Sequence, residues 1–304
     1  MKRILAAVTV LTACLLWIAC NNSSDKTQES KEQRRINISV DETFKPVIQE
    51  QIKVFESSFP ESQINVQYKS EADCFRDLQS DSTRMILVAR GLNEQESKFF
   101  QNRLTYIPGY DALAYDAIAV VVNKSSNDTV FTMEQLSSYL KGGTGKQIVL
   151  DGKNATSTVR YLLDSVLSGS SFGKNVTAAE SSEGVINFVA NNDKAIGMVG
   201  ISWIGDDTNP KQQEYLKKVK LAFLECKPCG EGAFYKPNQV TVSQGRYPLY
   251  RGLYYILKEN TGGLGSDFMG FMKYERGQLI FKRSGLVPGK MGLDKRTTQI
   301  SESE

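Results

Sequence analysis

Residues 154–160 read NATSTVR, setting an amide, three consecutive hydroxyls and an arginine where a helix should begin. The helix is signalled by Tyr161, Leu162, Val166 and Leu167, whose spacing puts them on one face. A helix N-terminus carries unpaired N–H groups and the positive end of the dipole, so it receives anions readily. Small hydroxyl residues there add donors without blocking the backbone. The same residue types also cap helices, so a cap and an anion cradle both account for Thr156 and Ser157. Arg160 lies one turn in. Helical side chains lean back toward the N-terminus, so its guanidinium can reach the same point or stay in solvent.

Other chemistries are excluded by composition. The chain has no histidine, which removes Ser-His-Asp and Cys-His nucleophiles, an imidazole base and nearly all catalytic zinc sites. A serine–lysine hydrolase built on Ser157 and Lys153 would need a general base that the sequence does not display. No enzymatic activity, cofactor or metal is expected.

The chain opens MKRILAAVTVLTACLLWIA before Cys20. A basic start followed by a short apolar run reads as a secretory signal, residues 1–19, not a membrane span. The segment 17-WIAC-20 resembles a bacterial lipobox, which implies cleavage before Cys20 and a lipid on its sulfur. Residues 20–35 are polar and cannot offset their ordering entropy by burial, so they read as a flexible tether. An exported, lipid-anchored protein at the cell envelope is expected. The folded body begins near Ile36, and its roughly 270 residues suffice for one large or two medium α/β domains.

Without Lys2 and Arg3 of the signal, the balance is 35 basic against 34 acidic residues. Nothing in it calls for nucleic acid, so any anion site must be local. In an exported chain 226-CKPC-229 reads as a local disulfide, with a redox motif as the alternative, and Cys74 as a buried thiol.

Strand and helix alternate from the start of the body. A strand from Ile36 precedes an amphipathic helix carrying Val47, Ile48, Ile52, Phe55 and Phe59. Strand 63–69, helix 71–79 and the compact apolar strand 84-RMILVAR-90 complete a βαβαβ unit. Further strands are expected at 115–123, 147–150, 194–204, 217–225 and 247–258, with helices at 131–142 and 182–192 and a helix pair interrupted near Gly277. No internal sequence repeat and no linker divides the body. Two lobes would therefore be joined through ordered strands, those beginning at Tyr115 and Tyr247.

Several motifs in order resemble the type II periplasmic binding proteins, and within them the phosphate-binding proteins of ABC importers (the PstS family). They are 40-VDETFKP-46, 151-DGKNATS-157, 195-AIGMVG-200, 247-YPLYRGLYYIL-257 and 275-ERGQLIFKRSGLVP-288. The resemblance covers nearly all of the mature body. It implies an α/β fold of two lobes, each a mixed sheet flanked by helices, joined by two crossing strands. The expected division is 36–117 with 250–304 as lobe I and 118–249 as lobe II.

The resemblance also implies the ligand set. Thr43 and the amide of Phe44 stand where the family uses a Thr-Phe pair, and Ser70 where it places a ligand serine. Each also reads as a helix cap, Ser70 with Asp73 three residues on. Asn154, Ala155 and Thr156 fall on the family's Ser-Gly-Thr, with Ser157 following. The family's arginine four residues before that serine is missing, since Leu150 occupies the place; Arg160 is the expected replacement. The acidic residue at the family's third strand end is Arg90 here, which adds donors but cannot read a proton. Two such arginines would make the site unusually cationic and its rejection of sulfate weak. The expected function is capture of inorganic phosphate by a monomer and delivery to an ABC permease. The alternative is another oxyanion, sulfate or a phosphorylated metabolite, bound or sensed without transport.

Overall fold

The structure is a computed structural model describing residues 35–143, 145–152 and 156–290. The expected signal, Cys20 and most of the tether lie outside the described residues, as do Lys153, Asn154 and Ala155.

Strand β1 (Arg35–Asp41) passes through a 3-10 turn (Glu42–Phe44) into helix α1 (Lys45–Ser58), with Pro46 in its first turn. Proline is tolerated there because first-turn N–H groups have no helical partner. Val47, Ile48, Ile52 and Phe55 face the core as their spacing requires. Strand β2 (Gln63–Lys69), helix α2 (Glu71–Leu78) and strand β3 (Thr83–Val88) complete the unit, with β1 between β2 and β3 and parallel to both. Helix α3 (Glu94–Leu104) is not anticipated by the sequence. Phe100 is its one buried residue, too thin a stripe to register as periodicity, and an Asn93–Glu96 capping box fixes its start.

Strand β4 (Gly109–Asn123) begins six residues before the expected Tyr115, because its first half lacks a continuous apolar run. Then follow β5 (Val130–Phe131), α4 (Met133–Leu140), β6 (Gln147–Asp151), α5 (Ser157–Tyr161), β7 (Val176–Ala179), α6 (Ser182–Asn191) and β8 (Ala195–Gly200). Helix α5 is shorter than its apolar spacing suggests. It relaxes into a π turn at Leu162–Val166, with Leu167 N donating to Leu162 O.

Helix α7 (Pro210–Lys218), largely polar, leads into the region expected as one strand. That region splits into β9 (Val219–Leu221), which pairs with β4, and β10 (Phe223–Glu225), which pairs with β5 and with β11 (Phe234–Tyr235). Cys226 and Cys229 form a disulfide at the β10–β11 hairpin, and Cys74 is a buried free thiol.

The chain closes with α8 (Gln239–Ser243), β12 (Tyr250–Leu257), α9 (Leu264–Lys273), α10 (Glu275–Arg283) and β13 (Val287–Pro288). The break in the final helix pair falls at Tyr274, not at Gly277. Gly277 instead allows close approach, since a Cβ there would stand 2.4 Å from Phe271 O.

Strand order is β2-β1-β3-β12-β4-β8-β6-β7. The parallel trio β7-β6-β8 repeats the order of β2-β1-β3, so the two halves share a topology without sharing a sequence. Between them β4 changes partner, pairing with β12 over Gly109–Ala117 and with β8 over Ile118–Val122. A second passage runs from buried Tyr247, whose hydroxyl donates to Ile118 O at 2.8 Å, into β12. The fold is thus two mixed-sheet α/β halves, flanked by helices and joined by two crossing strands. Strand-to-helix turns of both halves meet at the junction. Among the described residues no helix is long and apolar enough to cross a membrane.

Candidate ligand cleft

The site forms where β1 and β6, the equivalent first strands of the two trios, each end in an aspartate. Asp41 Oδ1 accepts from the Thr43 amide at 3.1 Å and the Thr43 hydroxyl at 2.8 Å, while Oδ2 accepts from the Ser157 amide of the other half at 3.3 Å. Asp151 Oδ2 is approached at 3.2 Å by the hydroxyls of Thr43, Thr158 and Ser182. Thr156 caps α5 by accepting from Val159 N at 3.2 Å, and its own hydroxyl turns back to Asp151. Thr156 therefore serves as the cap, and Ser157 faces the junction.

A buried cation stands beside these hydroxyls. Arg251 on β12 is paired across the sheet with Asp116 on β4, and its Nε and Nη2 donate to Asp116 Oδ2 at 3.1 and 3.0 Å. Its Nη1 donates to the hydroxyls of Ser157 at 2.9 Å and Thr158 at 3.2 Å. The guanidinium lies 5.1 Å above the ring of Phe44, which is fully buried. Glycine at position 200 makes room, since a Cβ there would stand 2.9 Å from Thr43 Cγ2 and 3.2 Å from Asp116 Oδ2.

Arg160 turns inward, as its place in the helix allows, and meets a carboxylate. Its Nε and Nη2 donate to Glu71 at 2.5 and 3.2 Å, and Glu71 also accepts from Ala89 N at 3.0 Å. Glu71 is 3% exposed, and its bond to Arg160 crosses from one half to the other. Glu42 makes a matching crossing, accepting from the amide and hydroxyl of Ser182.

Two expected ligands are engaged in local contacts. Arg90 pairs bidentately with Glu96 at 2.8 Å and stacks 3.7 Å over Phe75, so its donors are committed to α3. Ser70 sits at the N-cap of α2, accepting from Asp73 N and donating to the Asp73 carboxylate. The expectation of an unusually cationic site is corrected. Each arginine it relied on is neutralised by a glutamate, and five carboxylates (Asp41, Glu42, Glu71, Asp116, Asp151) face two guanidiniums.

Burial governs how these acids titrate. It pushes Asp41 up against the pull of Arg251, and Glu42 up against the Ser182 hydrogen bonds. Asp116 rises to about 6 although Arg251 opposes it. Asp151 rises to about 7 through burial and then repulsion by Asp41.

Sequence reasoning missed Asp41, Asp151, Asp116 and Glu71 and gave Arg251 only a place on the second crossing strand. A signal was present for two of them: INISVD and QIVLD each close a buried strand on an acid. The cation beside these hydroxyls is Arg251, on a strand far in sequence from Leu150.

A family model described as a PBP superfamily domain matches residues 25–275. The phosphate-binding protein PstS of Pseudomonas aeruginosa is 24% identical over 256 residues, covering 76% of this chain and 75% of that protein. A Clostridium perfringens protein assigned as a phosphate ABC transporter substrate-binding protein, solved with phosphate bound, superposes with a TM-score of 0.67. It has 17% identity and covers 84% of this chain and 99% of its own. An ABC-type phosphate transport receptor from Vibrio cholerae gives 0.61 at 19% identity, with 83% and 99% covered. With its two α/β halves, two crossing strands and polar junction, the chain belongs to the periplasmic binding protein (PBP) superfamily.

Proposed function

We propose that this chain is the substrate-binding lipoprotein of an ABC importer, that it captures inorganic phosphate between its lobes, and that it hands the anion to a permease. The observation that carries the reading is the convergence of Arg251, the hydroxyls of Thr43, Ser157 and Thr158, and the first amide of α5 on one buried point. An oxyanion needs such a set of donors when it leaves water. The change of β4 partner between Ala117 and Ile118 supports the lobe division 36–117 with 250–304 and 118–249. Lipid attachment at Cys20 rests on the leader sequence.

Asp41 holds the donors that an anion would use. An entering phosphate must displace that carboxylate, and the neighbouring acids demand hydrogen-bond donors from it. Phosphate can carry protons at neutral pH, whereas sulfate has none to offer to Asp41 or Asp151. Sulfate rejection is thus strong on this reading, opposite to the expectation built on Arg90 and Arg160.

Isothermal titration with phosphate and with sulfate tests both statements. The expected result is saturable phosphate binding and sulfate weaker by about thirtyfold, since one unsatisfied buried charge contact costs on the order of 2 kcal/mol. Absence of phosphate binding sinks the function, and comparable sulfate binding sinks the selectivity.

A further inference from the structure

A second concentration of charge lies at the far end of the sheet. Arg35 opens β1, Arg84 is the second residue of β3 and Lys258 follows the last residue of β12. The strand directions place all three at the edge opposite the cleft. Six residue steps of ~3.3 Å put Arg35 about 20 Å from Asp41. With Tyr106 and the loop 259–263, these residues line a cavity of about 780 Å³.

The cavity gathers three cations against one carboxylate, Glu259, on its lining. Lys258 is 6% exposed, and its ammonium donates to the backbone carbonyl of Ser80. Burial pushes it down to about 8; Asp81 opposes this, while Arg84 and Arg103 add repulsion. Among the described residues no carboxylate lies within ion-pair distance of Arg35, Arg84 or Lys258. The adjacent acids are committed elsewhere: Asp81 pairs with Arg103 at 2.9 Å, and Glu259 accepts from the Gly265 and Ser266 amides at the start of α9. An anion entering the cavity would offset the repulsion and supply acceptors for the exposed arginine forks.

The same edge is where the chain enters the fold. The described structure begins at Arg35, so the segment from Cys20 reaches this edge over at most about 50 Å when extended. This inference rests on the lipid at Cys20 that the proposed function assigns, which would bring a bilayer within reach of this edge. We infer that the cavity formed by Arg35, Arg84 and Lys258 seats the protein on the membrane by receiving the phosphate of an anionic phospholipid headgroup. When so seated, the ligand cleft points away from the bilayer, and permease docking requires release from the lipid.

The test uses the chain from residue 21 onward, which carries no lipid and keeps every described residue. Its co-sedimentation is compared on vesicles of phosphatidylcholine alone and of phosphatidylcholine with phosphatidylglycerol. Binding is expected on the anionic vesicles and should weaken as salt rises. Arg35→Gln with Arg84→Gln should lower the affinity roughly twenty-fivefold, about fivefold for each ~1 kcal/mol charge. Both residues are exposed and outside the cleft, so circular dichroism and phosphate titration should match the parent. Equal binding to both vesicle types, or undiminished binding by the double variant, overturns the inference. Tight binding of glycerol 3-phosphate in solution with no preference for anionic vesicles also overturns it, in favour of a soluble anion.

Discussion

Arg251 donates from Nη1 to the Ser157 hydroxyl at 2.9 Å, joining the second crossing strand to the first residue of α5. The contact reaches over 94 residues of sequence and is buried at both ends. It places a buried cation on a crossing strand and not in a loop of either half. An anion that bridges Arg251 and α5 would therefore bear directly on the angle between the halves.

Replacing Arg251 by methionine should abolish phosphate binding and also destabilise the fold. Asp116 is fully buried and would lose its partner, a change worth about 3–5 kcal/mol. Pairing the change with Asp116→Asn should recover most of that loss in urea unfolding while leaving binding absent. A double variant no more stable than Arg251→Met would refute the ion-pair account. A double variant that still binds phosphate would remove Arg251 from the site.

The strands were legible because apolar runs such as RMILV and AIAVVV report burial directly. Helices α3 and α7 were not, because polar helices held by caps leave little periodic signal. The turn at 154–160 was legible as chemistry, and Thr156, Ser157 and Arg160 all lie at the junction. What stayed hidden were partners. Arg251 meets Asp116 through antiparallel register across 135 residues, and Glu71 meets Arg160 across 89. No local spacing encodes either pair. Shared topology between the halves was equally hidden, since strand order is set by tertiary packing and leaves no sequence repeat.

Thr156 and Ser157 should separate under alanine substitution. Thr156→Ala removes the α5 cap and is expected to lower stability by about 1 kcal/mol. Ser157→Ala removes a hydroxyl that accepts from Arg251 and stands 3.5 Å from Thr43 Oγ1. It should weaken phosphate at least tenfold, the scale of a hydrogen bond to a charged group at about 1.5–3 kcal/mol. Thermal unfolding and titration of both variants check the split; equal effects on both measurements would leave Ser157 a structural residue.

Stability should fall as pH rises from about 5 to about 7. Asp116 and Asp151 hold their protons in the fold to about 6 and about 7, well above the ordinary 3.8. Groups raised on folding contribute stability at low pH and lose it as pH climbs through the folded value. The carboxylates lowered on folding, such as Asp77, Asp111 and Glu183, act below this window and do not offset the trend. A fall in Tm of roughly 5 °C is expected across the window, and Asp151→Asn should flatten much of it. A Tm that rises with pH in the parent protein would show that these acids are ionised in the fold.

Glu71 and Arg160 should act on affinity in opposite directions. Glu71 occupies both the Arg160 fork and the Ala89 amide, two donors that an oxyanion would otherwise find. The carboxylate therefore competes with the ligand for Arg160. Glu71→Gln keeps an acceptor for Ala89 but releases the guanidinium, so phosphate affinity should rise by about tenfold, or ~1.4 kcal/mol. Arg160→Ala should lower affinity and also stability, because Glu71 is then left buried without a cation. Adding Glu71→Gln to Arg160→Ala should restore the stability but not the affinity. If Glu71→Gln instead weakens phosphate, the carboxylate touches the bound anion through a proton and is a ligand, not a competitor.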